Sequence, residues 1–346
     1  MVEQTVNRAL VIGDGSWGTA IALLLARAGT DTVVWSAFPE HVEDLVAKRV
    51  NERFLPGIDL PKNIEFHADP FAAAEGADFV VSVVPTQFVS SVARRFEDAL
   101  KGDIPIVTAS KGLEIETFRA PSQILRHVLG ERSICVLTGP SHAEEVARGL
   151  PASVVAASDD RAFAERVQRA LSSETFRVYT HGDPLGAEFA GALKNVIALA
   201  AGICDGLGLG DNAKAALLTR GMVEMARFGE SIGSKAQTFF GLAGFGDLVT
   251  TCCSPHSRNR AVGEAIGKGK TLETVLGEMS MVAEGVWTTK ALFGPESAGG
   301  EVAMPIAEQV HAVLFEGKDP RAAVLDLMQR EPTAEMESLK SLGAGK

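Results

Sequence analysis

Residues 9–28, ALVIGDGSWGTAIALLLARA, decide the fold. The apolar run 9–12 reads as a buried strand and 19–28 as a helix, with Gly13-Asp14-Gly15-Ser16-Trp17-Gly18 between them. In such a GxGxxG turn the first glycine permits the tight bend. The second lets the backbone approach a pyrophosphate, and the third lets helix and strand pack closely. The helix start then offers free N–H groups and a positive dipole end to phosphates. Glycine is common in this chain, with 35 residues, so the hexapeptide alone says little. Its place at the first strand–helix turn carries the dinucleotide reading.

Outward from that unit, strand-like runs at 32–35, 79–84, 104–109, 134–137 and 153–157 alternate with helical patterns at 40–48, 89–99, 121–129 and 143–147. Strands interleaved with helices imply parallel pairing through crossovers. The runs are apolar throughout rather than alternating, as strands buried on both faces are. The pattern changes near 181–188. Helical stretches follow at 185–204, 213–231, 257–266, 271–277 and 305–315, separated by glycine-rich connections. The expected class is α/β: an N-terminal Rossmann-type, mostly parallel sheet domain over 1–184, then an all-α C-terminal substrate and catalytic domain over 185–346.

With 346 residues, 46% hydrophobic and 22% charged, the chain can bury a large core, which excludes disordered, collagenous and disulfide-scaffold classes. Lys and Arg number 33 against 44 Asp and Glu, a net charge of −11. That balance disfavours non-specific binding to nucleic acid or anionic membranes but leaves room for a local anion site. Four cysteines without a CxxC pair suggest reduced thiols in a cytosolic protein. Cys252 and Cys253 lack zinc-ligand spacing and read as packing residues. No targeting segment is expected at the N-terminus, and the apolar run 196–204 is too short to span a bilayer.

Several segments carry candidate chemistry. The second strand ends in Trp35-Ser36-Ala37 without the acid that accepts from a ribose 2′-hydroxyl, so it leans towards tolerating a 2′-phosphate, although no Arg or Lys follows at once. Lys194 lies in the otherwise apolar stretch EFAGALKNVIALA. Buried, it would have a lowered pKa suited to proton transfer; alternatively, its head snorkels to solvent. Asp247, in GLAGFGDLVTTC, could orient an ammonium, accept a substrate hydroxyl or cap a helix. Ser257-Arg258-Asn259-Arg260 opens a helix and suits either a phosphate or an exposed cap. Ser110-Lys111-Gly112 and Thr138-Gly139-Pro140-Ser141 each follow a strand, where ligands of open α/β sheets bind.

Taken together, these motifs resemble the bacterial-type NAD(P)-dependent glycerol-3-phosphate dehydrogenases. The resemblance runs from GDGSWGTAIALLLA through NERFLPGIDLP, SKGLEIET, TGPSHAEEVARGLP, GALKNVIALA, TFFGLAGFGDLVTTC and SRNRAVGEAIG to VAEGVWTT. It implies reversible reduction of dihydroxyacetone phosphate to sn-glycerol 3-phosphate with NADP or NAD and no metal. Lys194 would be the acid/base and Asp247 would hold it, with Lys111 touching substrate and cofactor and Asn195 and Thr251 supporting the reacting group. Gly139, Ser141, Ser257, Arg258 and Asn259 fall at substrate positions. Gly13, Gly15, Ser16, Trp17, Gly18, Ala143, Val282 and Glu284 fall at cofactor positions, which Arg258 also approaches. The resemblance further implies a small phosphorylated substrate, a cytosolic homodimer supplying glycerophospholipid synthesis, and neither nucleic acid nor stable membrane association. The chain departs from the family's usual pattern in TGPSHA, where His142 stands beside Ser141, and in lacking a basic residue just after Trp35. Two alternatives are a β-hydroxyacid dehydrogenase and a non-catalytic dinucleotide sensor.

Overall fold

The computed structural model describes residues 7–279, 282–297, 302–332 and 335. The chain divides into two compact units: one holds residues up to Ser110 and Pro121–Pro184, the other Lys111–Ala120 and residues from Leu185 onward.

The first unit contains β1 (Arg8–Ile12), β2 (Asp31–Trp35), β3 (Val50–Asn51), β4 (Leu55–Asp59), β5 (Ile64–His67), β6 (Phe79–Ser82), β7 (Ile106–Thr108), β8 (Ile134–Thr138), β9 (Ala152–Ala157) and β10 (Phe176–His181). Its helices are α1 (Ser16–Arg27), α2 (Pro39–Lys48), α3 (Pro70–Ala74), α4 (Val89–Arg94), α5 (Pro121–Leu129), α6 (Ala143–Ala147) and α7 (Arg161–Leu171). Eight strands form one sheet in the order β10-β9-β8-β7-β6-β1-β2-β5, while β3 and β4 make a separate ribbon. Every neighbouring pair of the large sheet is parallel except β8 and β9.

Strand β1 shows why the central runs are apolar throughout. Ala9 and Val11 pack with α1, α6 and α7 on one face, and Leu10 and Ile12 pack with α4 and α5 on the other. The edges differ. β5 and β10, absent from the expected strands, alternate: Ile64 and Phe66 are buried around exposed Glu65, and Phe176 and Val178 around exposed Arg177. Each edge strand borders only one neighbour, so its sequence lacks the continuous apolar run. Helix α1 starts at Ser16 rather than residue 19, because the glycine turn feeds straight into it. Helix α4 stops at Arg94, short of the expected 99, in a series of tight turns.

The second unit contains α8 (Pro184–Leu207), α9 (Gly210–Ser231), α10 (Ala236–Phe240), α11 (Asp247–Cys253), α12 (Arg258–Gly267), α13 (Leu272–Glu278), α14 (Glu284–Leu292), α15 (Pro305–Phe315) and α16 (Pro320–Met328). Helices α10, α11, α14 and α16 add to those expected. Residues 186–204 of α8 are all buried, the mark of a helix at the centre of a core. This corrects the bilayer expectation. At 24 residues, α8 is long and apolar enough to cross a membrane by length and composition, yet 94% of its apolar window is buried within the protein. Segment Lys111–Ala120 joins this unit through Phe118, whose ring lies 5.9 Å from Phe189 and 6.2 Å from Phe228.

Candidate active site

In the first unit the glycine loop is built by exclusion. Gly13 has φ +118°, and a Cβ there would sit 2.7 Å from the Val83 carbonyl oxygen. A Cβ on Gly18 would sit 2.0 Å from the Gly13 carbonyl oxygen. A Cβ on Gly15 would meet nothing within 4 Å beyond its own chain neighbours, and as the N-cap of α1 this residue brings no side chain to the helix start. The start of α1 has no side-chain cap and no carboxylate in its first turn. A helix start of this kind can receive an anionic group on its backbone N–H groups. Ser16 and Trp17 form the first turn of α1.

Two residues outside the motif brace this loop. Ser36 Oγ donates to Asp14 Oδ2 at 2.6 Å. Asn51 Nδ2 donates to the Asp14 carbonyl and to Thr19 Oγ1, both at 2.8 Å. Asn51 stands in the NERFLPG stretch, but its partners lie 32 and 37 residues away, so no local pattern announces its role. Elsewhere in this unit Gly139 follows β8 with φ +138°, Ser141 Oγ donates to the Gly139 carbonyl at 2.9 Å, and Ala143 opens α6.

The second unit gathers its candidates into one hydrogen-bonded cluster. Lys194, on α8, is 6% exposed, so its head does not reach solvent. Lys194 Nζ donates to Asp247 Oδ1 at 2.9 Å and to Thr251 Oγ1 at 2.6 Å. Lys111 Nζ donates to Asp247 Oδ2 at 2.6 Å. Asp247 is the first residue of α11, directly after the π-helical turn Leu242–Gly246, and Thr251 lies one turn on, with its Oγ1 3.3 Å from Asp247 Oδ1. The carboxylate bridges two ammonium groups instead of capping its helix.

Charge and burial compete here. Burial pulls the Lys194 pKa down, Asp247 opposes that, Lys111 adds to the fall, and the ammonium settles at about 8. Burial alone would raise Asp247, but the neighbouring lysines outweigh it and hold the carboxyl below the usual carboxylate range. A protonated lysine has three donors. Two on Lys194 are engaged, and among the described residues the third has no partner, which leaves one donor open to a further acceptor.

An amide relay continues from this cluster. Asn195 Nδ2 donates to the Lys111 carbonyl at 3.3 Å, and its Oδ1 accepts from Asn259 Nδ2 at 2.9 Å. Asn259 Oδ1 in turn accepts from the Gly285 N–H at 2.9 Å, next to Glu284 at the start of α14. Half-buried Val282 precedes it. Asn259 is thus 8% exposed and largely committed to this relay. Ser257 caps α12 by accepting from the Arg260 N–H at 3.2 Å. Arg258, exposed at the helix start, is the cation of the turn that reaches solvent. Arg260 instead pairs with Asp205 and Glu264, at 2.8 and 3.0 Å.

The cysteine expectation needs one correction. Cys252 is fully buried and its thiol is pushed up to about 12 by burial, but Cys253 is exposed and not a core residue. Among the described residues no group of three or more His, Cys, Asp and Glu side chains is placed to hold a metal ion.

Comparison with known proteins gives a consistent result. Residues 8–164 match the family model for the N-terminus of NAD-dependent glycerol-3-phosphate dehydrogenase, and residues 183–325 match the model for its C-terminus. The glycerol-3-phosphate dehydrogenase [NAD(P)+] of Geobacter metallireducens is 50% identical over 94% of this chain and 98% of its own length. That of Chlorobium phaeobacteroides is 48% identical over the same shares. The crystal structure of glycerol-3-phosphate dehydrogenase from Coxiella burnetii superposes with a TM-score of 0.90 at 38% identity, covering 94% of this chain and 99% of that one.

Proposed function

The chain belongs to the NAD-dependent glycerol-3-phosphate dehydrogenase family, and on that premise we propose how its own residues carry the family's reaction. The reaction interconverts dihydroxyacetone phosphate and sn-glycerol 3-phosphate with NAD or NADP. The observation that carries the mechanism is Lys194, buried, bonded to Asp247 and Thr251, and titrating at about 8.

The glycine loop and the start of α1 would hold the dinucleotide by its pyrophosphate, with Ser16, Trp17 and Ala143 on the cofactor side. A nicotinamide bound there would supply hydride to carbon 2 of the substrate, or accept it in reverse. During reduction, negative charge grows on the carbonyl oxygen, and Lys194 gives it a proton through the N–H that Asp247 and Thr251 leave open. During oxidation, neutral Lys194 takes the proton from the substrate hydroxyl. Asp247 stays ionised throughout, fixing the position of Lys194 Nζ and holding Lys111 beside it as a second positive charge. Asn195 and Asn259 position the Lys111 backbone. Arg258 and the start of α12 hold the substrate phosphate, and Gly139 and Ser141 complete the substrate contacts. Val282 and Glu284 stand on the cofactor side of the amide relay. A pKa near 8 suits the two-way chemistry, since both protonation states are populated near neutrality.

The functional division falls at 184/185, with the dinucleotide end before it and the substrate and acid/base end after it, Lys111 excepted. The setting that fits is a cytosolic homodimer supplying glycerol phosphate for phospholipids, with no nucleic-acid partner and no stable membrane association. The experiment is dihydroxyacetone-phosphate-dependent oxidation of NADPH and of NADH by purified protein without added metal. Turnover with either is the expected result. Folded protein that binds cofactor yet turns over neither would refute the substrate assignment.

A further inference from the structure

We infer that Arg53 is the side chain that recognises a 2′-phosphate on the adenosine ribose of the dinucleotide. The inference rests on the dinucleotide reading of the glycine loop. In a Rossmann-type sheet the ribose 2′-oxygen lies at the exit of the second strand, where an acid selects the hydroxyl and a nearby arginine accommodates a phosphate. Here β2 ends at Trp35, and the next residue, Ser36, is 1% exposed with its hydroxyl turned into the glycine loop on Asp14. Neither an acid nor a base follows along the chain at Ala37 and Phe38.

The cation comes instead from the far end of α2. Asn51, bonded to the Asp14 carbonyl and Thr19 Oγ1, also accepts from the Phe54 N–H at 3.1 Å, which fixes residues 51–54 against the loop. Between those anchors, Arg53 lays its guanidinium over Phe54, 4.9 Å from the ring centroid, and over Phe38 at 5.4 Å. Phe38 is the N-cap residue of α2, three positions beyond the end of β2. Two aromatic faces thus hold a planar cation at the strand exit with its N–H edges available to phosphate oxygens. Arg53 is exposed and in no ion pair among the described residues. Lys48 takes up the nearby acids, lying 2.8 Å from Glu52 and 3.2 Å from Asp44. Beside Arg53 lies a cavity of about 310 Å³ that Glu40 and Lys48 also line.

The test is calorimetric binding of ADP-ribose and 2′-phospho-ADP-ribose to the full chain, as wild type, Arg53→Ala and Arg53→Lys. In the alanine variant, affinity for the 2′-phosphorylated ligand is expected to fall roughly ten- to hundredfold, the range of a lost charge-assisted contact, with ADP-ribose changed by less than about twofold. Lysine should restore part of the loss. An equal fall for both ligands would make Arg53 an adenine shelf and overturn the inference, as would no fall for either. Wild-type protein that binds neither ligand would overturn the dinucleotide reading beneath it.

Discussion

The glycine loop of the first unit and the lysine cluster of the second are opposite solutions to handling charge. The loop contributes backbone N–H groups and open space, and its geometry depends on atoms that are missing: a Cβ at Gly18 would meet the Gly13 carbonyl at 2.0 Å. The cluster contributes side chains, and its geometry depends on charges that hold one another, with Asp247 between Lys111 and Lys194 at 2.6 and 2.9 Å. A loop of the first kind is damaged by added volume and is indifferent to charge neutralisation elsewhere. A cluster of the second kind is damaged by an isosteric change of charge. The backbone suits a ligand group that is always anionic, whereas a proton donor must change charge and so has to be a side chain with a tuned pKa.

The sharpest break in this contrast is Lys194→Ala. Turnover should fall by about 10²–10⁴, the range for losing a positioned acid/base, while ADP-ribose affinity measured by calorimetry stays unchanged. Weakened ADP-ribose binding would show that the cluster also shapes the dinucleotide site. Next comes Asp247→Asn, which keeps the shape but leaves two buried cations without their counter-charge. Breaking a buried pair costs about 3–5 kcal/mol, so the denaturation midpoint should drop, and the Lys194 limb of the pH profile should move to lower pH. Gly18→Ala should cost a smaller 1–3 kcal/mol or so, read as weakened ADP-ribose affinity with the pH limb of residual turnover in place. The gentlest probe is pH itself. With Lys194 at about 8, kcat/KM for reduction should fall tenfold per unit above that value, as the proton donor is lost. For oxidation it should fall tenfold per unit below, as the base is protonated. A reduction limb near 10 would show that Asp247, and not burial, dominates the lysine.

The same contrast explains what could be read from the sequence. The loop is local: six consecutive residues state its conformation, and β1 and α1 follow from the patterns on either side. The central strands are legible because two buried faces leave an unbroken apolar run, as at Leu10 and Val11. The edges β5 and β10 are not, because Glu65 and Arg177 face solvent and interrupt the run. The reversed direction of β9 beside β8 has no local signature at all. Helix α7 hides its four buried positions, Phe163, Ala164, Val167 and Leu171, among three arginines and a glutamate. In the cluster, the residue types were visible but the outcome was not. Whether Lys194 ends above or below its ordinary value depends on burial against Asp247, 53 residues away, and on Lys111, which no spacing connects to either. Asn51 and Ser36 were legible only as letters, since the loop they brace lies across the fold.

The segment Lys111–Ala120 bears on how such a protein can be cut and rejoined. It lies in the middle of the sequence of the first unit, yet it packs with the second and is pinned there by Phe118 between Phe189 and Phe228. The peptide chain therefore crosses between units three times, at 110/111, 120/121 and 184/185. A fragment begun at Leu185 would carry Lys194, Asp247 and Thr251 but lack Lys111, leaving the aspartate one of its two cations and opening the aromatic cluster. Exchanging halves between relatives at the 184/185 seam would pair one parent's Lys111 and Phe118 with the other parent's carboxylate and phenylalanines. The heritable module and the physical module differ by ten residues, and one of the two ammonium groups on Asp247 comes from those ten.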